Sequence, residues 1–363
     1  MHAKPASAMT RRPPQPGEPA PFFAAATDGV ERFSLDVTAG RWIVLMFFGT
    51  LSATASRQAL DLVMDGRQRF NGRDAAFWGV SVDSDDKVRG LANSEPGVRY
   101  FWDFDCAVSR LYGLADADNF QPAIFLIDPM FRIALAGPLE ETAAVLAWLD
   151  EALAAAPALA ERQFAPVLTL PRVIEPELCA TLIDYFRKGA PRPSGFAADV
   201  DGRTVELFNP ALKRRTDVTI EDMTLVESLR ERFERRLFPM VERAFGWRAQ
   251  HIERYLICRY GDEDQGFFFP HRDDVTAGSA HRKFAVSLNL NAEDYDGGDL
   301  VFPEFGLRAY RPPTGGATVF SCNLLHAATP VTKGERFVVV PFLFDDAGEA
   351  LRRAYEARQA PNV

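Results

Sequence analysis

The stretch 267-FFFPHRDDVTAG-278 places a histidine and an aspartate two residues apart at the edge of an apolar, aromatic segment. The side chains of His271 and Asp273 are of the kinds that bind divalent metal ions. A lone His-x-Asp pair arises by chance in many chains of this size, so its meaning depends on a third ligand elsewhere. His326 supplies one, 53 residues after Asp273, where it ends a strand-like run in 320-FSCNLLHAATPVTKGERFVVV-340.

Two histidines and one carboxylate on adjacent strands of a double-sheet fold can occupy one face of an iron(II) ion. The opposite face then stays open for a cosubstrate and O2. The sequence therefore predicts that His271, Asp273 and His326 form one metal site and are the catalytic centre. The alternative is that both histidines are ordinary core or surface residues.

Arg336 stands ten residues after His326, at the start of the last predicted strand. A guanidinium there can hold the distal carboxylate of 2-oxoglutarate with two parallel hydrogen bonds. Tyr260 ends the strand before the His-x-Asp loop. If Leu256, Cys258 and Tyr260 point inward together, the tyrosine hydroxyl reaches the same carboxylate. The alternatives are a surface ion pair for Arg336 and simple packing for Tyr260.

Many short strands with glycine-rich turns make the second half typical of a double-sheet barrel or jelly roll. Three pieces stand in order: 259-RYGDEDQGFFFPHRDD-274, 285-AVSLNLNAEDYDGGDLVFPEFG-306 and 315-GGATVFSCNLLHAATPVTKGER-336. Over about residues 164 to 346 the chain resembles the 2-oxoglutarate/iron(II)-dependent dioxygenases, in particular the prolyl 4-hydroxylase-like branch. The resemblance implies a double-stranded β-helix (jelly-roll) domain with flanking helices. It implies Fe(2+) and 2-oxoglutarate as cofactor and cosubstrate, and leaves ascorbate open.

The resemblance also assigns roles to residues. The family's metal ligands fall on His271, Asp273 and His326, and its cosubstrate-binding basic residue falls on Arg336. Prolyl hydroxylases proper often have lysine at that last position, so arginine suits a bacterial small-molecule or peptide hydroxylase as readily as a collagen-type one. The implied reaction consumes O2 and 2-oxoglutarate, releases succinate and CO2, and hydroxylates a small-molecule or peptidyl substrate. A prolyl, peptidyl or amino-acid-like substrate is weakly favoured.

The first half alternates strand and helix patterns. The continuous apolar run 42-WIVLMFF-48 predicts a buried strand of a mostly parallel sheet. Further strands are predicted at 76-AFWGVSV-82 and 123-AIFLID-128, with helical stretches between them. This pattern indicates an α/β domain.

Between about residues 17 and 150 the chain resembles the peroxiredoxins, which are thioredoxin-fold peroxidases; the matching pieces are 17-GEPAPFFAA-25, 43-IVLMFFGT-50, 77-FWGVSVDS-84, 102-WDFDCAVSRLYGL-114 and 121-QPAIFLIDPMFR-132. Where that family carries a nucleophilic cysteine, this sequence has Ser56. A serine hydroxyl cannot replace a thiolate in peroxide chemistry. The resemblance therefore implies a thioredoxin-like domain without peroxidase activity, for docking or homodimerisation. It also implies a cis-proline at Pro122.

The Ala-rich segment 145-VLAWLDEALAAAPALAERQFAP-166 holds the expected domain boundary. We predict a disordered leader over 1–16, the peroxiredoxin-like domain over 17–157 and the dioxygenase domain over 158–363. The stretch between residues 190 and 218 is the expected lid or substrate loop.

The bulk composition argues against several classes of protein. With 41 Lys and Arg against 50 Asp and Glu, the net charge of −9 disfavours a general nucleic-acid binder. No run of about 18 apolar residues is present, so no membrane span is expected. Four cysteines without paired spacing indicate reduced thiols in a cytoplasmic protein.

Two other functions stay open. One is a protein that senses O2 or 2-oxoglutarate, or binds a partner, with little turnover. The other is a redox protein that works through Cys106, for which simple packing is the preferred interpretation. Arg214 and Arg215 are candidates for contact with an acidic substrate, although a solvated charged loop is the preferred interpretation there.

Overall fold

The computed structural model describes residues 12–90, 94–117, 119–160, 163–306 and 308–359. They form two compact units that divide between Gln163 and Phe164, with the short segment Pro303–Gly306 grouped with the first. Residues 1–11 of the predicted leader lie outside the described residues, while Pro14 is placed and buried. None of the described helices combines the length and the apolar character needed to cross a membrane.

The first unit is built on a seven-stranded sheet in the order β2-β1-β5-β4-β3-β6-β7. Its strands are Ala24–Thr27 (β1), Val30–Ser34 (β2), Trp42–Gly49 (β3), Ala75–Ser81 (β4), Val98–Trp102 (β5), Ala123–Ile127 (β6) and Ile133–Gly137 (β7). β3 and β5 each pair in parallel with β4, and β6 runs antiparallel to both β3 and β7. All of β3 except Trp42 is buried, as its continuous apolar run predicts.

The helices of the first unit are Thr54–Asp65 (α1), Ser84–Val88 (α2), Ala107–Leu111 (α3) and Thr142–Ala160 (α4), with 3₁₀ turns at Leu35–Thr38, Arg67–Arg69 and Leu139–Glu141. The core on one side of the sheet joins β3 residues such as Val44 to Ala59 and Val63 of α1 and Leu149 of α4. The mixed sheet and its helices make this unit thioredoxin-like.

The position of the missing nucleophile lies inside this packing. Ser56 is buried in α1, and its hydroxyl donates a 2.7 Å hydrogen bond to the carbonyl oxygen of Phe48. The Ser56 hydroxyl proton is therefore already used in a hydrogen bond to the backbone. The expected cis-proline is wrong, because no peptide bond of the described residues is cis, and Pro122 is among them.

Cys106 sits just before α3 in a left-handed backbone conformation, with φ at 55°. Burial, followed by the nearby carboxylate of Asp103, raises the pKa of this thiol. A raised pKa is the opposite of what activates a cysteine for redox chemistry. All four cysteines are free thiols. These features argue against a redox function for Cys106.

The second unit contains the remaining strands, which are Leu168–Leu170 (β8), Arg192–Pro193 (β9), Phe196–Val200 (β10), Arg203–Leu207 (β11), Lys213–Arg214 (β12), Thr216–Thr219 (β13), His251–Glu253 (β14), Leu256–Gly261 (β15), Phe267–His271 (β16), Phe284–Asn289 (β17), Asp296–Gly297 (β18), Leu300–Val301 (β19), Ala317–Ser321 (β20), His326–Ala328 (β21), Val331–Lys333 (β22), Glu335–Val339 (β23) and Phe342–Phe344 (β24). Its helices are Pro176–Lys188 (α5), Met223–Arg232 (α6), Phe238–Phe245 (α7) and Asp346–Gln359 (α8), and a π-helical turn, Phe233–Leu237, joins α6 to α7.

Two sheets form the body of this unit. The larger has nine strands in the order β14-β24-β17-β23-β15-β13-β9, with β20 paired to β17 and β8. The smaller has four strands in the order β12-β16-β21-β19. The predicted ligands His271 and His326 both belong to the smaller sheet. This pair of sheets with flanking helices is the predicted double-stranded β-helix.

Helices cover one face of the larger sheet. The core there joins Leu182 and Phe186 of α5 and Leu229 and Phe233 to strand residues such as Val339. A second cluster joins the inward residues of β15 and β23 to β21 and β22; its buried members are Leu256, Cys258, Tyr260, Ala328, Val331 and Val338. This second cluster borders the candidate site.

The predicted substrate loop is partly regular structure. β10 and β11 form a two-stranded hairpin over its middle, and β12 and β13 add to the two larger sheets. The hairpin is anchored at its tip, where the Thr204 N–H donates to the Tyr355 hydroxyl of α8 at 2.8 Å. The Ala277 N–H also donates to the Asp199 carboxylate. The strand β19 is short, because it ends at Val301 and a 3₁₀ turn follows.

We expect Phe233→Ala to destabilise the second unit. The Phe233 side chain is fully buried between helix and sheet, so its removal leaves a cavity. The expected loss in the free energy of unfolding is about 3–5 kcal/mol, measured by urea denaturation with circular dichroism. Met223→Ala, at an exposed position of α6, is the control. A loss for Phe233→Ala no larger than that of the control would contradict the described packing.

Candidate metal centre and anion pocket

His271 and His326 lie side by side on neighbouring strands of the smaller sheet. His271 ends β16, His326 begins β21, and the two residues are register partners in this antiparallel pair. Their ring centres lie 4.2 Å apart. The register shifts between Phe268 and His271, which is where the apolar run of phenylalanines gives way to Pro270. The local sequence therefore places both imidazoles at one point of the sheet.

Backbone carbonyls fix the orientation of both rings. Nδ1 of His271 lies 2.8 Å from the carbonyl oxygen of Phe269, and Nδ1 of His326 lies 3.0 Å from that of Leu324. A carbonyl only accepts hydrogen bonds, so each Nδ1 carries the proton in the neutral ring. The lone pair of each Nε2 is then available to a metal ion.

Asp273 completes the group. Its backbone N–H donates to the carbonyl oxygen of Cys322, and its two carboxylate oxygens lie 3.6 Å from Nε2 of His271 and 3.3 Å from Nε2 of His326. The three candidate ligand atoms all lie within 4.8 Å of one another. Adjacent ligands about 2.1 Å from one octahedral ion are about 3 Å apart, so small adjustments suffice for a single ion.

The electrostatics of the group favour a neutral imidazole at His271 and an ionised carboxylate at Asp273. Burial and the neighbouring His326 lower the pKa of His271 to about 4. Burial by itself raises the pKa of Asp273, but the two imidazoles outweigh it and hold that pKa well below its ordinary value. These are the protonation states that ligands must have to bind a cation.

Aromatic rings pack against both histidines. The Phe268 ring stacks on His271 with ring centres 3.5 Å apart, and the Phe320 ring lies 4.6 Å from His326. The exposed fraction of the side chain is 22% for His271, 14% for Asp273 and 7% for His326. The centre is therefore apolar on its protein side and still reachable from solvent.

An ion pair supports the loop that carries Asp273. Arg282 binds Glu253 through two 2.7 Å hydrogen bonds and also donates to the Asp273 carbonyl oxygen at 3.2 Å. His281 approaches the same glutamate at 2.9 Å. Burial alone raises the pKa of Glu253, but the hydrogen bonds from His281 and Arg282 lower it to about 2.

Arg336 is a buried cation, 3% exposed, on the inner face of β23. One of its terminal nitrogens donates to Ser287 Oγ at 3.1 Å, and its Nε has no partner among the described residues. No carboxylate of the described chain forms an ion pair with it. A buried guanidinium without an anion is costly, so this position suits an anionic ligand.

Tyr260 faces the same interior. It is the register partner of Arg336, whose guanidinium carbon lies 5.2 Å from the tyrosine ring centre. Leu256, Cys258 and Tyr260 are buried in one cluster, so they do point inward together. On its other side Tyr260 meets Arg215, which donates to the hydroxyl at 3.4 Å.

The structure overturns the interpretation of Arg215 as part of a solvated loop. Its side chain is only 6% exposed and pairs with Asp217 at 2.7 Å. Lys213 is also buried, at 8% exposure. Lys213, Arg215 and Asp217 are spaced two residues apart in 213-KRRTD-217. In an extended chain, side chains with this spacing lie on the same face, so the spacing is the sequence signal for one shared inward face. Arg214, between them, is bonded to the carbonyl oxygens of Pro210 and Asp264 at the surface.

Comparison with known proteins identifies both units. Residues 16–136 match the AhpC/TSA family, and residues 255–344 match the 2OG-Fe(II) oxygenase superfamily.

The chain joins an AhpC/TSA domain to a 2OG-Fe(II) oxygenase domain.

Individual relatives are similar to part of the chain. A PKHD-type hydroxylase of Maricaulis maris is 35% identical over 96 residues, which are 26% of this chain and 42% of that protein. One from Acaryochloris marina is 28% identical over 178 residues, 48% of this chain and 76% of that protein. The chain spans about two fifths of the length of the first curated relatives it matches. A solved 2OG-Fe(II) oxygenase-family oxidoreductase from Burkholderia pseudomallei is 22% identical, covering 49% of this chain and 85% of that one, with a TM-score of 0.36.

We expect Glu253→Gln to remove a pH-dependent part of the stability of the oxygenase domain. The folded-state pKa of Glu253 is lowered from 4.5 to about 2, so its contribution is full above pH 4.5 and is lost as the pH falls towards 2. The variant should be about 2–3 kcal/mol less stable at pH 7, and this difference should shrink below pH 4.5. Urea denaturation at several pH values measures it.

Glu234→Gln, on an exposed helical surface, is the control for this comparison. A difference between wild type and Glu253→Gln that stays constant from pH 7 to pH 3 would contradict the described ion pair.

Proposed function

We propose that the oxygenase domain is a 2-oxoglutarate- and O2-dependent iron(II) dioxygenase that hydroxylates a small-molecule or peptidyl substrate. One observation carries the proposal: two imidazoles and a carboxylate converge within 4.8 Å of one another, and the same domain holds a buried arginine with no ion-pair partner among the described residues. The match of residues 255–344 to the oxygenase superfamily supports it.

In this proposal His271, Asp273 and His326 hold the iron. Bound iron(II) with 2-oxoglutarate supplies the activation of O2, with succinate and CO2 as coproducts of substrate hydroxylation. The carbonyls of Phe269 and Leu324 keep both Nε2 atoms directed at the ion. Keeping three ligands on one side leaves positions for the cosubstrate and O2.

The distal carboxylate of 2-oxoglutarate is the proposed partner of Arg336. The hydrogen bond to Ser287 orients the guanidinium and leaves its other donors for two parallel bonds to a carboxylate. Tyr260 is proposed to donate its hydroxyl hydrogen bond to the same carboxylate, since the Arg336 guanidinium carbon lies 5.2 Å from the tyrosine ring centre. Apolar neighbours such as Val338 and Val331 exclude water and strengthen these charged hydrogen bonds.

The AhpC/TSA domain is proposed to serve docking or homodimerisation, without peroxidase activity. The support is the occupied, buried hydroxyl of Ser56 where the family resemblance implies a thiolate. Sedimentation of the full chain tests the homodimer. A cytoplasmic location and ascorbate as an additional cofactor stay predictions.

We expect His271→Ala, Asp273→Ala and His326→Ala each to abolish stoichiometric metal binding. When one of the three ligands is removed, the remaining two no longer occupy a complete face of the ion. Anaerobic titration with Mn²⁺, followed by electron paramagnetic resonance, measures binding without any turnover. His251→Ala, a histidine paired with Asp346, is the matched control and should bind normally. Full retention of Mn²⁺ in any of the three ligand variants would contradict its assignment.

We expect Arg336→Met to weaken 2-oxoglutarate binding by about 10- to 100-fold while Mn²⁺ binding is retained. The physical reason is the loss of charge-assisted hydrogen bonds in a buried site. Calorimetric titration of the metal-loaded protein with 2-oxoglutarate measures the change. Arg259→Met removes a neighbouring cation that pairs with Glu335 and Glu263, and it serves as the control. Equal affinity in Arg336→Met and wild type would show that another residue binds the cosubstrate.

A further inference from the structure

A second unbalanced cation lies inside the oxygenase domain. Lys213 and Arg215 point to the same inward face of the chain segment that carries β12 and β13, together with Asp217. Asp217 pairs with Arg215 at 2.7 Å and balances its charge. Lys213, 8% exposed, has no ion-pair partner among the described residues. When Lys213 is protonated, one positive charge is therefore left over in this part of the interior.

The ammonium of Lys213 has hydrogen-bonding capacity to spare. Its Nζ donates to the carbonyl oxygen of Gly195 and lies 4.4 Å from the centre of the Phe268 ring. An ammonium has three donors, so two remain for a ligand. Arg215 adds a buried Nε that has no partner in the described chain. Burial, followed by repulsion from Arg215, lowers the pKa of Lys213 to about 7.

This cation is close to the candidate metal centre. The Lys213 ammonium lies over the Phe268 ring, and this ring is stacked on His271 with ring centres 3.5 Å apart. Lys213 is thus one aromatic ring away from a candidate metal ligand.

The position differs from the proposed cosubstrate site. Arg336 belongs to β23 of the larger sheet, whereas Lys213 belongs to β12 of the smaller sheet. Tyr260 stands between the two regions, with Arg336 5.2 Å from its ring centre on one side and Arg215 5.8 Å from it on the other. 2-Oxoglutarate has two carboxylates, and the proposed function assigns one to the metal and the other to Arg336. Lys213 is left for a different anion.

We propose that Lys213, supported by Arg215, binds a carboxylate of the substrate, so that the oxygenase domain acts on acids. This inference rests on the proposed dioxygenase function. The carboxylate belongs either to a free amino acid or to an acidic peptide, since both present the same group to an ammonium. The alternative is that Lys213 only fastens the Gly195 segment to the sheet.

The experiment measures succinate formation by the iron-loaded, full-length protein with 2-oxoglutarate and a panel of probes. One arm compares the twenty L-amino acids with their carboxamides. The other compares N-acetylated, C-amidated tetrapeptides that contain Asp or Glu with the Asn and Gln forms. We expect at least one acid to stimulate succinate formation and give a product heavier by one oxygen atom, and its amide to fail. The arm in which this occurs identifies the source of the carboxylate.

Lys213→Met tests the residue itself and preserves much of its length. We expect this variant to raise the apparent KM for the stimulating acid at least about tenfold. Its Kd for 2-oxoglutarate, measured by calorimetry, should stay within twofold of wild type. Arg214→Met, a surface cation one residue away, is the matched control and should leave both values unchanged. Circular dichroism and the thermal midpoint verify that each variant is folded.

Three results of the succinate assay would overturn this inference. They are stimulation by amides as strong as by acids, no stimulation by any acid of the panel, and a normal KM for the acid in a folded Lys213→Met. A 2-oxoglutarate Kd raised as in Arg336→Met would also overturn it, by placing Lys213 in the cosubstrate site. Failure of the proposed dioxygenase function gives a different result, because the wild-type protein would then bind neither Mn²⁺ nor 2-oxoglutarate.

Discussion

The pairing of β16 with β21 is the constraint on which the candidate site depends. It makes His271 and His326 register partners, and a shift of one residue would turn one imidazole to the other face of the sheet. Backbone carbonyls two residues before each histidine then fix the ring that the pairing has positioned. Because these partners are main-chain atoms, the orientation of the imidazoles depends on the fold itself more than on neighbouring side chains.

The sequence was sufficient for the parts of the molecule that have a strong local pattern. Continuous apolar runs identified β3, β4 and β6. The ordered motifs pointed to His271, Asp273 and His326, whose ligand atoms lie within 4.8 Å of one another. The inward direction of Tyr260 followed from the alternation of a strand. These features rest on periodicity and spacing, which can be read without tertiary information.

Other features depend on partners distant in the chain and could not be read in the same way. Ser287 orients Arg336 from 49 residues away, and nothing around Ser287 marks it as the partner of a cation. Lys213 and Arg215 were hidden in a segment rich in charge, where burial results from pairing with β15 and β16. The expected cis-proline was carried over from the family resemblance, and the backbone at Pro122 does not share that feature.

The C-terminal helix has a consequence for the surface around the site. A two-stranded hairpin is marginally stable by itself, so β10 and β11 owe their order to contacts outside the pair. The Tyr355 hydroxyl of α8 supplies one of these contacts, and the loop after Asp273 supplies another through Ala277. Proteolysis ahead of Tyr355 would therefore remove one of the two contacts that order the hairpin, while leaving every candidate metal ligand in the chain.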